Sequence, residues 1–108
     1  MGININKIKN LIKKKNYKIS SHAQYRKAIR KIKNNEIEEA ILSAKIVEEK
    51  LDDKPYPSCL IQGKTFNERI INVALALNEK DNFVIIITIY EYEEDEWKKY
   101  LKRKERNK

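Results

Sequence analysis

Residues 69–92, RIINVALALNEKDNFVIIITIYEY, decide how the chain folds. RIINVALALN (69–78) and NFVIIITIYEY (82–92) are dense in the β-branched and aromatic residues that suit a pleated sheet. The polar EKDN between them has the length of a hairpin turn, which predicts two long antiparallel strands. The apolar run FVIIITIY at 83–90 is far too short to span a bilayer and reads as a buried strand, so no membrane partner is expected.

Upstream, CLIQGK (59–64) and Ile46–Val47 continue the β pattern, separated by LDDKPYPS (51–58), whose two prolines exclude it from a central ladder. Ile5, Ile8, Leu11 and Ile12 recur at helical spacing within 4–16, and YKIS (17–20) alternates like a short strand. Ser20 or Ser21 is placed to cap a second helix with Tyr25, Ala28, Ile29 and Ile32 as its inward stripe. A third helix is predicted with Asn35 as N-cap, Glu38 completing a capping box, and Ile37, Ala40, Ile41 and Ala44 as its apolar face. EEDEWKKYLKRKERNK (93–108) sets four acids before Trp97 and a run of bases after it, the polarity a helix dipole favours, with Trp97 and Tyr100 as packing residues. The expected fold is a single α+β domain over 1–108: N-terminal helices packed on one face of a four- to five-stranded, mainly antiparallel sheet, with a C-terminal helix.

Charge is divided along the chain. Residues 1–33 carry eleven Lys/Arg and no acid (+11), residues 34–97 six bases and fifteen acids (−9), and residues 98–108 seven bases and one acid (+6). If the fold brings the two basic ends together, they form a surface of the kind that neutralises phosphates, which points to RNA or another polyanion. A lysine-rich composition that serves only solubility gives the same count. The single cysteine, Cys59, excludes an internal disulfide framework and reads as a packed strand residue. With one Cys and one His there is no structural zinc set, and with only Gly2 and Gly63 there is no glycine-rich phosphate loop, so neither metal nor nucleotide cofactor is expected. The acidic run Glu93 to Glu96 is better explained by helix capping than by a hard cation. The N-terminal apolar residues are interrupted by Asn and Lys and do not make a signal-peptide core, so a cytoplasmic location is expected.

His22, Arg26 and Arg30 are spaced by four residues, so each step overshoots a full helical turn by about 40° and all three share one flank. Histidine is the side chain that titrates near neutrality, and arginine presents a planar fork to phosphate oxygens. Together they suit RNA cleavage in which the ribose 2′-OH is the nucleophile. The same residues also suit the solvated face of a basic helix.

ISSHAQYRKAIR (19–30), DDKPYPSCLIQGK (52–64), RIINVALAL (69–77) and IITIYEYEEDEW (86–97), in this order, resemble an uncharacterised family of small bacterial and archaeal proteins. Its pattern runs S-x-H-A-x-x-R-x-x-x-R, then a DDKPYPSCL loop, then GRPLHVV, then TVYEP and a Trp. The family is grouped with the RelE-like and barnase-like ribonuclease toxins. The resemblance therefore implies that fold and a metal-independent endoribonuclease, the toxin half of a pair with an acidic or DNA-binding antitoxin protein. Carried over position by position, it makes His22, Arg26, Arg30, Thr88 and Tyr90 the catalytic candidates; Lys18, Arg69 and Asn72 are expected in addition as RNA contacts. This chain departs from the pattern at Ile29, where the family has Glu, and at Asn72, where it has His. Two rival functions follow: a catalytically silent RNA-binding or regulatory protein of the same fold, and a protein-interaction module.

Overall fold

The computed structural model describes residues 2–91. Its spine is the predicted hairpin, β4 (Ile70–Asn78) paired antiparallel to β5 (Phe83–Glu91), with Leu77 opposite Val84 and Val73 opposite Ile89. The turn closes locally. Asn78 Oδ1 accepts from the Asp81 N–H at 3.0 Å, and Asn82 takes the left-handed conformation (φ 55°) that asparagine tolerates.

Around the hairpin, β3 (Ser58–Lys64) pairs antiparallel to β4, and β2 (Lys45–Lys50) pairs antiparallel to β3. The short β1 (Tyr17–Ile19) adds to β5 in parallel, giving one five-stranded sheet in the order β1-β5-β4-β3-β2. The architecture is the α+β type expected, a mostly antiparallel sheet with one parallel edge.

Three helices, α1 (Ile5–Lys13), α2 (Ser21–Arg30) and α3 (Asn34–Ser43), cover one face. Ile8, Leu11 and Ile12 of α1 and Ile37, Ala40 and Ile41 of α3 meet Ile61, Ile71, Val73, Leu75, Leu77, Val84, Ile86 and Ile89 of the sheet in one core. Gly63 lets α3 come close to β3, since a Cβ there would lie 1.7 Å from the Ala40 carbonyl oxygen. Tyr17 O–H donates to Glu38 Oε2 at 2.5 Å, and Lys15 pairs with the same carboxylate, tying the entry to β1 onto α3. Burial and then the Glu38 bond and charge push the Tyr17 phenol above its usual range.

Two helix readings need correction. In α2 the buried residue is Ala23, while Tyr25 and Ile29 are 64% and 52% exposed and Ala28 is exposed, so the predicted inward stripe faces outward. Ile32 is buried, but it lies beyond the helix, after Lys31 ends it in the left-handed conformation. In α3 the N-cap is Lys33 rather than Asn35, and Glu36 rather than Glu38 reaches back, accepting from the Lys33 N–H at 3.0 Å. The predicted C-terminal helix, with Glu93 to Glu96, Trp97 and Tyr100, lies outside the described residues.

A bulge in β5 sets which side chains face where. Ile86 is opposite Leu75 and Thr88 is opposite Ala74, leaving Ile87 as an extra residue. Val84 and Ile86 before it, and Ile89 and Glu91 after it, therefore point to the helices. Thr88 and Tyr90 point to the far face, together with Asn72, Gln62, Lys18 and Phe83.

Candidate nucleic-acid interface

Helix α2 lies beside β5 and is fastened to it at both ends. At its start the Ser20 N–H donates to the Ile86 carbonyl at 2.9 Å and Ser20 Oγ donates to the Ile87 carbonyl at 2.8 Å. The same hydroxyl accepts the Ala23 N–H at 3.0 Å, so a single serine caps the helix and holds it to the bulge.

At the far end Arg69 acts as the clamp. Its Nε and Nη2 donate to the two Glu91 carboxylate oxygens, each at 3.0 Å, in a bidentate pair. Its Nη1 donates to both Glu36 oxygens at 3.1 and 3.2 Å. The remaining donors go to the carbonyls of Arg30 (3.0 Å) and Lys31 (3.3 Å), the last orphan acceptors of α2. Arg69 thus joins α2, α3 and β5 with all of its N–H groups directed at protein acceptors, and its guanidinium is committed to the fold.

The network is electrostatically closed. The Lys33 N–H, and after it Arg69, hold the Glu36 carboxyl below the usual carboxylate range against the opposing effect of burial. The Arg69 bonds hold Glu91 down likewise, with a further contribution from Arg30, and the two acids in turn raise Arg69.

Between these fastenings α2 presents its basic flank. His22 is exposed, and Arg26 and Arg30 are half-buried, between the Ala23 contact line and the exposed Tyr25 and Ile29. Arg30 lies within electrostatic reach of Glu91 on the helix side of β5. Thr88 and Tyr90, both half-buried, belong to the opposite face. The predicted catalytic residues therefore fall into two sets, one on a helix flank and one on the far face of the sheet, separated by the thickness of β5.

Asn72 completes the far-face set. It is 2% exposed and opposite Tyr90, and its Oδ1 accepts from Gln62 Nε2 at 3.2 Å, which answers why an amide sits in an apolar strand. Lys18 is exposed on the same face, with its ammonium 5.0 Å from the centre of the Phe83 ring. Cys59 is buried, and burial together with the nearby Glu49 pushes its thiol up to about 11, as befits a packing residue. Among the described residues no group of three or more His, Cys, Asp or Glu is placed to hold a metal ion, and no helix is long and apolar enough to cross a membrane.

Sequence reasoning missed Glu36 and Glu91 as the partners that fix α2. Glu91 ends an apolar alternation and carried no signal of its own, because the bulge that turns it toward Arg69 cannot be read from residue types. It also missed Tyr56 and Phe83, which meet edge to face with ring centres 6.3 Å apart.

A domain family described as Domain of unknown function (DUF4258) matches residues 19–91, from the end of β1 through β5, and the chain belongs to that family. No curated protein and no solved structure matches the chain significantly.

Proposed function

We propose that this protein binds RNA through the α2 flank and cleaves it without a metal ion, as a toxin-like endoribonuclease. The observation that carries the proposal is the fastening of α2 at both ends, which holds an exposed imidazole one turn from Arg26 and two turns from Arg30. In this reading the two guanidinium groups take the phosphate, and His22 accepts the proton of the ribose 2′-OH. The 2′-oxygen bonds to phosphorus, the bond from phosphorus to the 5′-oxygen breaks, and that oxygen takes up a proton. The products are a 2′,3′-cyclic phosphate and a 5′-hydroxyl. Arg69 is a positioning residue in this scheme, since its donors are directed at Glu36, Glu91 and the end of α2.

A second reading, an RNA-binding protein that does not cut, is favoured by Asn72. It is a buried amide paired with Gln62 where the resembling pattern has histidine, so that position offers no group that exchanges a proton near neutral pH. The protein partner in the toxin reading would be an acidic or DNA-binding antitoxin in the cytoplasm, and the exposed Tyr25 and Ile29 beside the basic flank are the apolar surface it would cover.

The experiment is incubation of the purified protein with end-labelled RNA in EDTA. Fragments ending in 2′,3′-cyclic phosphate are expected. Cleavage that stops in EDTA and returns with Mg²⁺ contradicts the proposal, and tight binding with no fragments selects the second reading.

A further inference from the structure

The loop before β3 and the β4–β5 turn enclose an open depression of about 500 Å³, within the size range of ligand sites. Tyr56 and Pro57 supply its apolar surface, and Glu79, Lys80 and Asp81 form its rim. The Tyr56 ring stands edge-on to Phe83 at an interplanar angle of 75°, and both rings are half-buried, so each keeps part of its surface open. Lys18 stands over Phe83, four residues before His22. None of these aromatic groups belongs to the α2 flank.

We infer that this depression is a subsite for one unpaired RNA base that carries an exocyclic amine. The inference rests on the RNA-binding reading and extends it to substrate class. An aromatic surface stacks a base of any sequence, and two exposed cations, Lys80 on the rim and Lys18 over the adjoining Phe83 ring, suit the flanking phosphates. A phosphate inside the depression would meet the exposed carboxylates of Glu79 and Asp81, which repel it, whereas an exocyclic amine offers N–H donors that those oxygens accept, and the single N3–H of uracil is flanked by two carbonyl oxygens that the carboxylates repel. Asp81 is held in place for this by its own contacts to Asn78, with Asn78 Nδ2 donating to Asp81 Oδ2 at 3.2 Å. Bases in a duplex have both faces stacked and their edges paired, so the site selects single strands.

The test measures binding of labelled oligo(C), oligo(U) and duplex RNA of equal length by fluorescence anisotropy. The parent should bind oligo(C) more tightly than oligo(U), since only cytosine carries the amine. Tyr56→Leu should weaken oligo(C) binding by roughly five-fold or more and leave duplex binding unchanged. Glu79→Ala, a change at an exposed turn position that spares the fold, should remove the preference for C over U. Equal affinity of the parent for the two oligomers, or undiminished oligo(C) binding by a folded Tyr56→Leu, overturns the subsite. If Arg26→Ala still weakens all three ligands in that case, the RNA-binding reading survives alone. A parent protein that binds no RNA removes both.

Discussion

Arg69 offers the sharpest test at the scale of a residue, because its side chain is 22% exposed and faces two acids that are 8% and 26% exposed. Removing one partner from a largely buried charge network strands the others, at a cost of about 3 kcal/mol or more. Arg69→Ala should therefore lower the melting temperature by roughly 10 °C or more at neutral pH. The pH dependence follows from the sign of the shifts. Glu36 and Glu91 are both held below their ordinary values in the folded protein, so the stability they contribute is complete above the ordinary carboxylate range. It is lost as pH falls through their folded values. Thermal melts of parent and Arg69→Ala should thus be well separated at pH 7 and converge below about pH 4. A separation that stays constant down to pH 3 would mean that Arg69 acts by packing alone.

Elements were legible from the chain to different degrees, for physical reasons. The β4–β5 hairpin, β3 and the faces of α1 and α3 follow from apolar periodicity, because those faces meet a continuous core, and the serine pair at 20 and 21 marks the start of α2 without saying which of the two caps it. Helix α2 escapes this pattern because it lies at the edge of the sheet, where Ala23 is its buried residue and Arg26 and Arg30 are half-buried, so its apolar Tyr25 and Ile29 do not mark the inner face. The β5 bulge was not legible either, since period-two alternation reports facing only while pairing is regular, and one extra residue at Ile87 reverses every later position. That reversal moved Thr88 and Tyr90 away from His22 and brought Glu91 to Arg69. At this scale the close approach of α3 to β3 is testable. Gly63→Ala would set a methyl group 1.7 Å from the Ala40 oxygen, so the elements must separate, and denaturant unfolding should report a loss on the order of 2–3 kcal/mol. Unchanged stability would mean that α3 moves freely on the sheet.

For the whole molecule the charge division is the governing feature, with +11 over residues 1–33 against −9 over residues 34–97. Phosphate contacts release counterions, so the logarithm of RNA affinity should fall with the logarithm of salt concentration by about 0.7 per contact on a single strand. Arg26→Ala and Arg30→Ala should each reduce that slope by about one contact, and a parent affinity independent of salt would remove the basic surface from the account. The proposed function requires that α2 carry a reaction and be more than the wall of a groove. Single-turnover cleavage of a labelled RNA by parent and His22→Ala, with affinity measured on the same samples, tests it most directly. His22→Ala should cleave about 10²-fold or more slowly, with RNA affinity and melting temperature close to the parent's, because a proton-transfer group acts in the transition state. Cleavage by His22→Ala at the parental rate would contradict it.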